Sequence, residues 1–289
     1  MRWGSSCGPR TLFVSDLDFT LLRSDATLSA RTTDVVNQLV AAGHRFTVAT
    51  ARSFTSTARV TAGLRLSLPL ITYGGAVLAD PHDGTAFAVR AVHPDSIAAI
   101  VSLTAAHASL EPLLFALLDG HDRVCWRAPH ANGYIQSFAA DRPDDPRLLP
   151  LPDWSALDDA AVFYVTLIGA EQEVLELHRQ LAPWLPDCFI TVGPDGYRPT
   201  QWWLEVTSRQ ATKAATARRL QRQLSADAVV AFGDNLNDVP LFEIADHGCA
   251  VANAVPELVA VASEVIPSND DDGVARWLDR HVLAQSAVP

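Results

Sequence analysis

The sequence predicts an α/β protein in which a doubly wound, Rossmann-like parallel sheet is interrupted by an inserted α+β domain. Strand-like apolar runs alternate with helical patterns in residues 1–81 and again in residues 199–289, and this alternation implies right-handed crossovers and a parallel sheet. In residues 82–198, short strand-like runs joined by tight turns mix with helical patterns, which favours a largely antiparallel sheet. Polar clusters follow several of the core strands.

The first strand, residues 12–15, is a continuous apolar run that ends in Asp16, Asp18 and Thr20. A parallel strand buried on both faces has this pattern, and ligands gather beyond its carboxyl end. Two carboxylates one residue apart repel each other, so a hard cation such as Mg²⁺ is the expected partner. The alternative is a strand that ends in an Asx turn with both acids solvated.

The next elements complete the first core segment. Ser29 caps a helix that runs to about residue 42, and Gly43 ends it. A second strand, residues 45–50, leads into Thr50 and Arg52. A helix over residues 54–62 and a third strand over residues 69–73 follow, before the turn at Gly74.

The inserted domain has four predicted strands and two predicted helices, joined by turns such as Asp119-Gly120. The strands cover residues 86–92, 113–118, 123–127 and 161–168, and the helices cover residues 95–107 and 171–181. We interpret the segment rich in proline and aspartate, residues 141–153, as a loop.

The alternating pattern then returns. Strands are predicted at residues 202–206, 228–232 and 249–252, and helices at residues 211–224, 239–245, after Pro256 and at residues 274–283. The helix over residues 211–224 carries Lys213, the chain's single lysine. The strand at residues 228–232 leads into a polar turn with Asp234, Asn237 and Asp238.

Composition narrows the class of protein. The 289 residues are 48% hydrophobic and 19% charged, which indicates a globular chain. A net charge of −11 argues against a nonspecific nucleic-acid or membrane partner. The apolar region at residues 97–118 is interrupted by polar residues, and the N-terminus has no secretion signal, so we expect a cytoplasmic protein. The four cysteines are scattered singly and indicate reduced thiols, neither a zinc site nor a disulfide framework. They are Cys7, Cys125, Cys188 and Cys249.

The polar clusters contain one candidate for each part of a phosphoryl-transfer site. A carboxylate can act as nucleophile and form an aspartyl-phosphate, and a second acid can protonate the leaving oxygen and later activate water. A metal and a lysine neutralise the phosphoryl oxygens, which hydroxyl and amide groups orient. These groups are available near the strand ends, at Asp16, Asp18, Thr50, Lys213 and Asp234.

These motifs resemble those of the haloacid dehalogenase-like phosphohydrolase superfamily, specifically its Cof-type branch with a large C2-type cap domain. Asp16, Asp18 and Thr20 match DxDxT, Thr50 matches the second motif and Lys213 the third, and residues 233–238 match GDxxND. Asn253-Ala254, Asn269 and Asp272-Gly273-Val274 are similar to the later signature of the branch. The resemblance covers nearly the whole chain.

The resemblance implies a role for each matched residue. Asp16 would be the nucleophile and a Mg²⁺ ligand, and Asp18 would be the general acid/base, offering the metal its backbone carbonyl. Thr50 would hold phosphoryl oxygens, Lys213 would bridge Asp16 and the phosphate, and Asp234 would complete the metal shell. Three further residues would have binding or supporting roles: Asn237 in orienting the phosphate, Asp238 behind Asp234, and Arg52 in contacting the substrate.

Some of these residues have a second interpretation. Asp238 could cap the following helix, Thr20 could serve the backbone turn, and Arg52 could form a surface salt bridge. Lys213 could be a solvated helix residue, although every other non-histidine basic position is arginine, which cannot replace a compact ammonium without changing the geometry.

The sequence also departs from the family pattern in three places. Phe19 stands where glycine is common, Thr50-Ala51-Arg52 replaces Thr-Gly-Arg, and Gly74 stands where asparagine is usual. Gly74 therefore lacks a polar side chain near the cap junction, which could alter the shape of the substrate that is accepted or the closure of the cap.

We therefore expect a Mg²⁺-dependent phosphatase acting on a small phosphorylated metabolite, with a sugar phosphate favoured over a nucleotide or cofactor phosphate. We expect a monomer or a homodimer. The alternatives are a sugar phosphomutase and a non-enzymatic phospho-aspartate switch. The inserted domain would recognise the leaving group, and its candidate residues are Trp126, Arg127, His130, Tyr134, Arg198 and Trp202.

Overall fold

The computed structural model describes residues 10–284, apart from residues 106, 108, 196, 197 and 199. Its strands, in chain order, are β1 (Thr11–Ser15), β2 (Arg45–Val48), β3 (Leu70–Thr72), β4 (Val77–Ala79), β5 (Ala86–Val89), β6 (Leu113–Leu118), β7 (His121–Arg127), β8 (Leu148–Leu151), β9 (Ala161–Gly169), β10 (Cys188–Pro194), β11 (Trp202–Ser208), β12 (Ala228–Gly233), β13 (His247–Val251) and β14 (Glu264–Ile266).

The α-helices are α1 (Ala30–Ala41), α2 (Phe54–Val60), α3 (Pro94–Thr104), α4 (Gly133–Ala140), α5 (Glu171–Leu181), α6 (Lys213–Gln223), α7 (Val239–Ile244), α8 (Pro256–Val259) and α9 (Gly273–Leu278). Within the described part of the chain, no helix is both long and apolar enough to span a membrane.

The first compact unit consists of residues 1–87 and 212–289 and contains a five-stranded parallel sheet. The strand order is β14-β13-β12-β1-β2. Strand β1 is buried along its whole length, and its register places Ser15 between Val48 of β2 and Phe232 of β12. The polar residues that follow these three strands therefore emerge at one edge of the sheet.

Strand β3 lies next to β2, as expected, but the pairing is short. A parallel bridge joins Ala49 to Ile71, and the amide of Thr50 donates to the carbonyl of Ile71 at 2.8 Å. The chain reverses direction after β3, and β3, β4 and β5 form a separate three-stranded sheet. The sequence did not predict β4, because its three residues are too few to show a periodicity.

The second unit, residues 88–211, contains a six-stranded sheet in the order β10-β11-β9-β6-β7-β8. Its pairs are antiparallel, except for the parallel pair of β7 and β8. An apolar cluster built from α3, α5 and one face of the sheet forms its core. The expected α+β fold with a largely antiparallel sheet is confirmed.

Three details of this unit correct the sequence analysis. We expected residues 202–206 in the parallel core, but β11 pairs with β9 and β10 of the second unit. The chain returns to the first unit at residue 212, because a strand's own sequence does not state which sheet it joins. The segment predicted as a loop contains β8, and α4 and β10 were not predicted.

Candidate active site

Asp234, Asp16 and Thr50 follow the carboxyl ends of the adjacent strands β12, β1 and β2, respectively, so the structure brings three of the predicted motifs together. The amide of Asp16 donates to the carbonyl of Phe232 at 3.0 Å, which fixes the backbone of the first motif to β12. The side chains of Asp16, Thr50 and Asp234 are all buried.

Lys213 lies between two buried carboxylates. Its Nζ is 2.9 Å from Oδ1 of Asp16 and 2.7 Å from Oδ1 of Asp238. Burial alone would lower the pKa of the Lys213 ammonium, but the two carboxylates outweigh it and raise that pKa above its ordinary value. Lys213 is therefore a charged centre of the site, and its interpretation as a solvated helix residue is wrong because its side chain is 2% exposed.

Asp16 is held by its own backbone turn as well as by Lys213. Its Oδ1 accepts from the amide of Leu17 at 2.7 Å. Burial raises the pKa of Asp16 to about 7, although the Lys213 ammonium opposes this shift. The carboxylate therefore sits in a site that favours its ionised form only when enough positive charge is close to it.

The acidic side chains form one cluster whose oxygens suit a hard cation. Carboxylate oxygens of Asp16, Asp234 and Asp238 lie within 4.8 Å of one another, and all three residues are buried. Burial raises the pKa of Asp234, and the hydrogen bond that Thr20 Oγ1 donates to its Oδ1 at 2.9 Å partly offsets this. Buried like charges require a partner, and an all-oxygen donor set fits Mg²⁺.

Asp238 also organises the turn that carries Asp234. Its Oδ2 accepts from the amides of Asp234 and Asn235 at 3.1 and 3.2 Å, while the Asn235 side chain caps the same turn. A Cβ on Gly233 would lie 2.7 Å from the Asp238 carboxyl carbon, so this position must be glycine for Asp238 to pack there. Asp238 thus braces the short turn Leu236–Asp238 and belongs to the acidic cluster, but its side chain makes no capping hydrogen bond to α7, so the expected cap of the following helix is wrong.

Asp18 and Arg52 form a bidentate ion pair. Nε and Nη2 of Arg52 donate to Oδ2 and Oδ1 of Asp18 at 2.8 and 2.6 Å. Both side chains are part-exposed, and Arg52 also donates to Ser56 Oγ at 3.0 Å. The structure thus brings the predicted acid/base and the predicted substrate-binding arginine together, in contact with each other.

The turn that carries Asp18 contains a residue with a left-handed backbone. Phe19 has φ = 55° and an exposed side chain, which explains why glycine is common here: glycine adopts positive φ without strain. Asn253 Nδ2 donates to the Phe19 carbonyl at 2.8 Å, and Asn269 Nδ2 donates to the Leu22 carbonyl at 3.0 Å. The later signature therefore braces the first motif, a role that we did not assign from the sequence.

Thr50 is buried after β2, whereas Asn237 is exposed beside the acidic cluster. Thr50 Oγ1 accepts from the amide of Arg52 at 3.1 Å, so its side chain shapes the turn that aims Arg52. Asn237 lies on the short helical turn Leu236–Asp238 next to the acidic cluster, with its side chain exposed.

Lys213 is positioned by close packing against the Gly74-Gly75 turn. A Cβ on Gly75 would lie 2.2 Å from the Thr212 carbonyl, whereas a Cβ on Gly74 would meet nothing within 4 Å. Thr216 Oγ1 also donates to the Gly75 carbonyl at 2.7 Å. Gly75 is therefore required for α6 to begin where it does, with Lys213 as its first residue.

The suspected residues of the second unit have varied surroundings. Arg127 forms a bidentate ion pair with Glu111, and Trp126 is buried, so both belong to that unit's own packing. Arg198 donates to Ser137 and Asp141, and with Tyr134 it lines a cavity of about 200 Å³. His130 lies on an exposed turn, and Trp202 packs against the apolar cluster.

Comparison with known proteins places the whole chain in one group. A family model described as haloacid dehalogenase-like hydrolase matches residues 13–278. The stress response protein YhaX of Bacillus subtilis is 26% identical over 284 residues, which cover 96% of this chain and 94% of that protein.

A second relative is similar over nearly the whole chain, and a solved structure has a similar fold. The 5-amino-6-(5-phospho-D-ribitylamino)uracil phosphatase YitU of Bacillus subtilis is 22% identical over 280 residues, covering 93% of this chain and 97% of that protein. The crystal structure of TM0651 from Thermotoga maritima matches with a TM-score of 0.75 at 24% identity, covering 93% of this chain and 96% of the other.

Proposed function

This chain belongs to the haloacid dehalogenase-like hydrolases, and from that premise we propose that it is a Mg²⁺-dependent phosphatase that works through an aspartyl-phosphate on Asp16. That it is a phosphoric monoester hydrolase follows from its family and its phosphatase relatives. The observation that carries the proposal is the buried Asp16 carboxylate, paired with Lys213 in a cluster with two further carboxylates.

Asp16 is the proposed nucleophile. Its carboxylate oxygen forms a bond to phosphorus as the bond from phosphorus to the leaving oxygen breaks. The Lys213 ammonium favours the ionised form of Asp16, against the effect of burial, and then faces the negative charge on the phosphoryl oxygens. The amide of Leu17 also donates to Oδ1 of Asp16, the same carboxylate oxygen that Lys213 contacts.

Asp18 is the proposed acid and base. Two residues from Asp16 along the turn, it donates a proton to the leaving oxygen in the first step. In the second step it takes a proton from the water that attacks phosphorus, which breaks the bond between phosphorus and Asp16 and releases inorganic phosphate. In the structure Arg52 is paired with Asp18, and we propose that it transfers to the phosphoryl group when the substrate binds.

The residues that would hold Mg²⁺ are Asp16, Asp234 and the backbone carbonyl of Asp18, with Asp238 behind them. When bound, Mg²⁺ supplies positive charge that neutralises the phosphoryl oxygens. The hydrogen bond from Thr20 holds the Asp234 carboxylate in place. Thr50 and Asn237 are proposed to contact the phosphoryl group.

The proposed substrate is a small phosphorylated metabolite, with a sugar or sugar-alcohol phosphate favoured. The relative YitU carries in its name a phosphorylated ribityl group attached to a pyrimidine, which supports this class. The second unit, proposed as the cap that recognises the leaving group, offers Tyr134 and Arg198 at one cavity. We propose that the protein acts in the cytoplasm as a monomer or homodimer.

A substrate panel tests this function. Phosphate release is measured from sugar, sugar-alcohol, nucleotide and cofactor phosphates, with Mg²⁺ or with EDTA, for the wild type and for Asp16→Asn. Asp34→Asn, on the exposed face of α1, is the matched control. We expect release that requires both Mg²⁺ and Asp16 and is unchanged in the control. Release that survives EDTA or Asp16→Asn would exclude the proposed mechanism.

A further inference from the structure

A second group of metal-ligating side chains lies away from the proposed active site, on β13 and β14. Nε2 of His247 is 2.8 Å from Oε1 of Glu264, and Sγ of Cys249 is 3.7 Å from the same oxygen. One ligand atom from each of the three residues lies within 4.8 Å of the other two.

The strand geometry explains why the three side chains meet. His247 and Cys249 are two residues apart on β13, so they point to the same face of the sheet. Glu264 is the parallel-strand partner of Cys249 in the β13–β14 pairing. The spacing of cysteines along the sequence could not indicate this group, because it contains a single cysteine and its carboxylate comes from another strand.

The group is buried on one side and open on the other. Cys249 and His247 are buried, whereas the side chain of Glu264 on the last strand in the sheet order is 39% exposed. Solvent and ions can therefore reach the group from the Glu264 side, and a water molecule can take a further coordination position there.

An aromatic residue orients the carboxylate from behind. Nε1 of Trp277, on α9, donates to Oε1 of Glu264, and the Trp277 ring stacks with the rings of His247 and His281 at centroid distances of 5.8 and 4.8 Å. Second-layer hydrogen bonds of this kind are a usual feature of protein metal sites, because they fix the orientation of the ligands.

We propose that His247 Nε2, the Cys249 thiolate and the Glu264 carboxylate bind one divalent d-block cation such as Zn²⁺, with water as the fourth ligand. Thiolate, imidazole and carboxylate together favour such an ion over Mg²⁺. One thiolate and one carboxylate also balance its two positive charges. The site would fasten β14 to β13, and it does not depend on the proposed phosphatase mechanism.

Of the two ligand separations, the sulfur–oxygen separation agrees with tetrahedral coordination and the nitrogen–oxygen separation is shorter than it requires. Bond lengths at zinc imply a sulfur–oxygen separation of roughly 3.6 Å and a nitrogen–oxygen separation of roughly 3.4 Å. The observed sulfur–oxygen separation is 3.7 Å. The observed nitrogen–oxygen separation of 2.8 Å is a hydrogen bond, which has to open by roughly half an ångström as the ion replaces its proton.

Cobalt substitution tests the site directly. Untagged protein, stripped of metal and held in excess Mg²⁺, is titrated with Co²⁺ and separately with Zn²⁺. We expect one equivalent of Co²⁺ to produce a thiolate-to-cobalt charge-transfer absorption and the intense visible bands of a tetrahedral ion, and one equivalent of Zn²⁺ to remove both. Saturation without a thiolate charge-transfer band would overturn the proposal.

Variants assign the ligands. Cys249→Ala and Glu264→Gln should abolish the one-equivalent binding, and Trp277→Phe should weaken it by roughly 10- to 100-fold. Cys188→Ala, another buried single cysteine, and Cys7→Ala are the matched controls and should leave the absorption unchanged. Circular dichroism checks that each variant is folded, and the part-exposed Glu264 keeps the test decisive if the buried Cys249→Ala does not fold. Retained binding in Glu264→Gln, or loss in either control, would mean that the group is a hydrogen-bond network only.

Discussion

Lys213 combines two functions at the scale of a single residue: it neutralises buried charge, and it is proposed to bind the phosphoryl group. Its ammonium contacts Asp16 and Asp238, whose side chains are nearly inaccessible to water. Removing one partner from such a buried arrangement leaves charge without compensation, and this is more costly than never forming the pair. We therefore expect the chain's single lysine to be required for stability as well as for the proposed activity.

Lys213→Met should lower the free energy of unfolding of the metal-free protein by about 3–5 kcal/mol, because the two carboxylates lose their cation. Urea unfolding in EDTA measures this. The control is Arg219→Met, which removes a cation from the same helix at a part-exposed position. An equal loss of stability in both variants would show that the pairing of Lys213 contributes nothing specific.

Arg52 is the second residue whose partner matters. In the structure its guanidinium is paired with Asp18, and in the proposed reaction it is paired with the phosphoryl group. Hydrogen bonds to charged groups contribute about 1.5–3 kcal/mol. Arg52→Ala should therefore raise KM for the best substrate by roughly tenfold or more.

Steady-state kinetics measures this change, with Arg59→Ala, at an exposed position of the helix α2 that follows Arg52, as the control. If KM and kcat of Arg52→Ala both equal those of the control, Arg52 does not bind substrate. The sequence identified Arg52 as a candidate, but its contact with Asp18 could not be predicted, because it depends on how the turns after β1 and β2 pack side by side.

At the scale of elements, the site depends on how turns pack against the first residues of helices. The Gly74-Gly75 turn touches the start of α6, and Asn253 and Asn269 brace the turn after β1. The motifs at Asp16, Thr50 and Asp234 could be recognised from the sequence because each follows a strongly apolar strand. These supporting contacts could not, since they join residues that are far apart along the chain.

Gly75→Ala should destabilise the protein and reduce its activity. Gly74→Ala should destabilise it less, because the only cost is that of alanine at a positive φ. Both glycines have positive φ, but a Cβ on Gly75 alone would collide with the Thr212 backbone. We expect Gly74→Ala to cost about 1 kcal/mol, and Gly75→Ala to cost more and to lower kcat by displacing Lys213.

Thermal unfolding and kinetics on the pair measure the difference. Equal behaviour of the two variants would contradict the view that contact between the turn and α6 sets the position of Lys213.

At the scale of the whole molecule, the sequence predicted the α/β core, the inserted α+β unit and the strand ends at which the site lies. It misplaced β11, because an alternating pattern of buried and half-buried residues fits an antiparallel strand as well as the edge of a parallel sheet. It also missed the short elements β4 and β8, whose few residues give no periodic signal.

The acidic cluster should make the stability of the metal-free protein depend on pH. Folding raises the pKa of Asp16 to about 7, so the folded state favours the protonated carboxyl. The stability that this provides is complete below the ordinary pKa of 3.8 and is lost as the pH rises through about 7. Asp234, whose pKa is also raised, acts in the same direction.

Relative to Asp16→Asn, the wild type in EDTA should therefore lose stability between about pH 4 and about pH 7. Mg²⁺ should restore stability at the higher pH, because it binds the ionised carboxylates. The melting temperature measured with and without Mg²⁺ tests both statements. If the melting temperatures of the two proteins in EDTA change with pH in the same way, the raised pKa of Asp16 is contradicted.

The most direct test of the central claim is a search for the phosphoryl group on Asp16 during turnover. Wild type and Asp18→Asn are mixed with Mg²⁺ and the best substrate of the panel, quenched in acid, digested and mapped by mass spectrometry. We expect one added phosphoryl group on the peptide that contains Asp16. With an aryl phosphate, whose leaving group departs without a proton, we expect more of it in Asp18→Asn because the attacking water has lost its base. Steady phosphate release with no phosphoryl group on Asp16, or with the group on another residue, would contradict it.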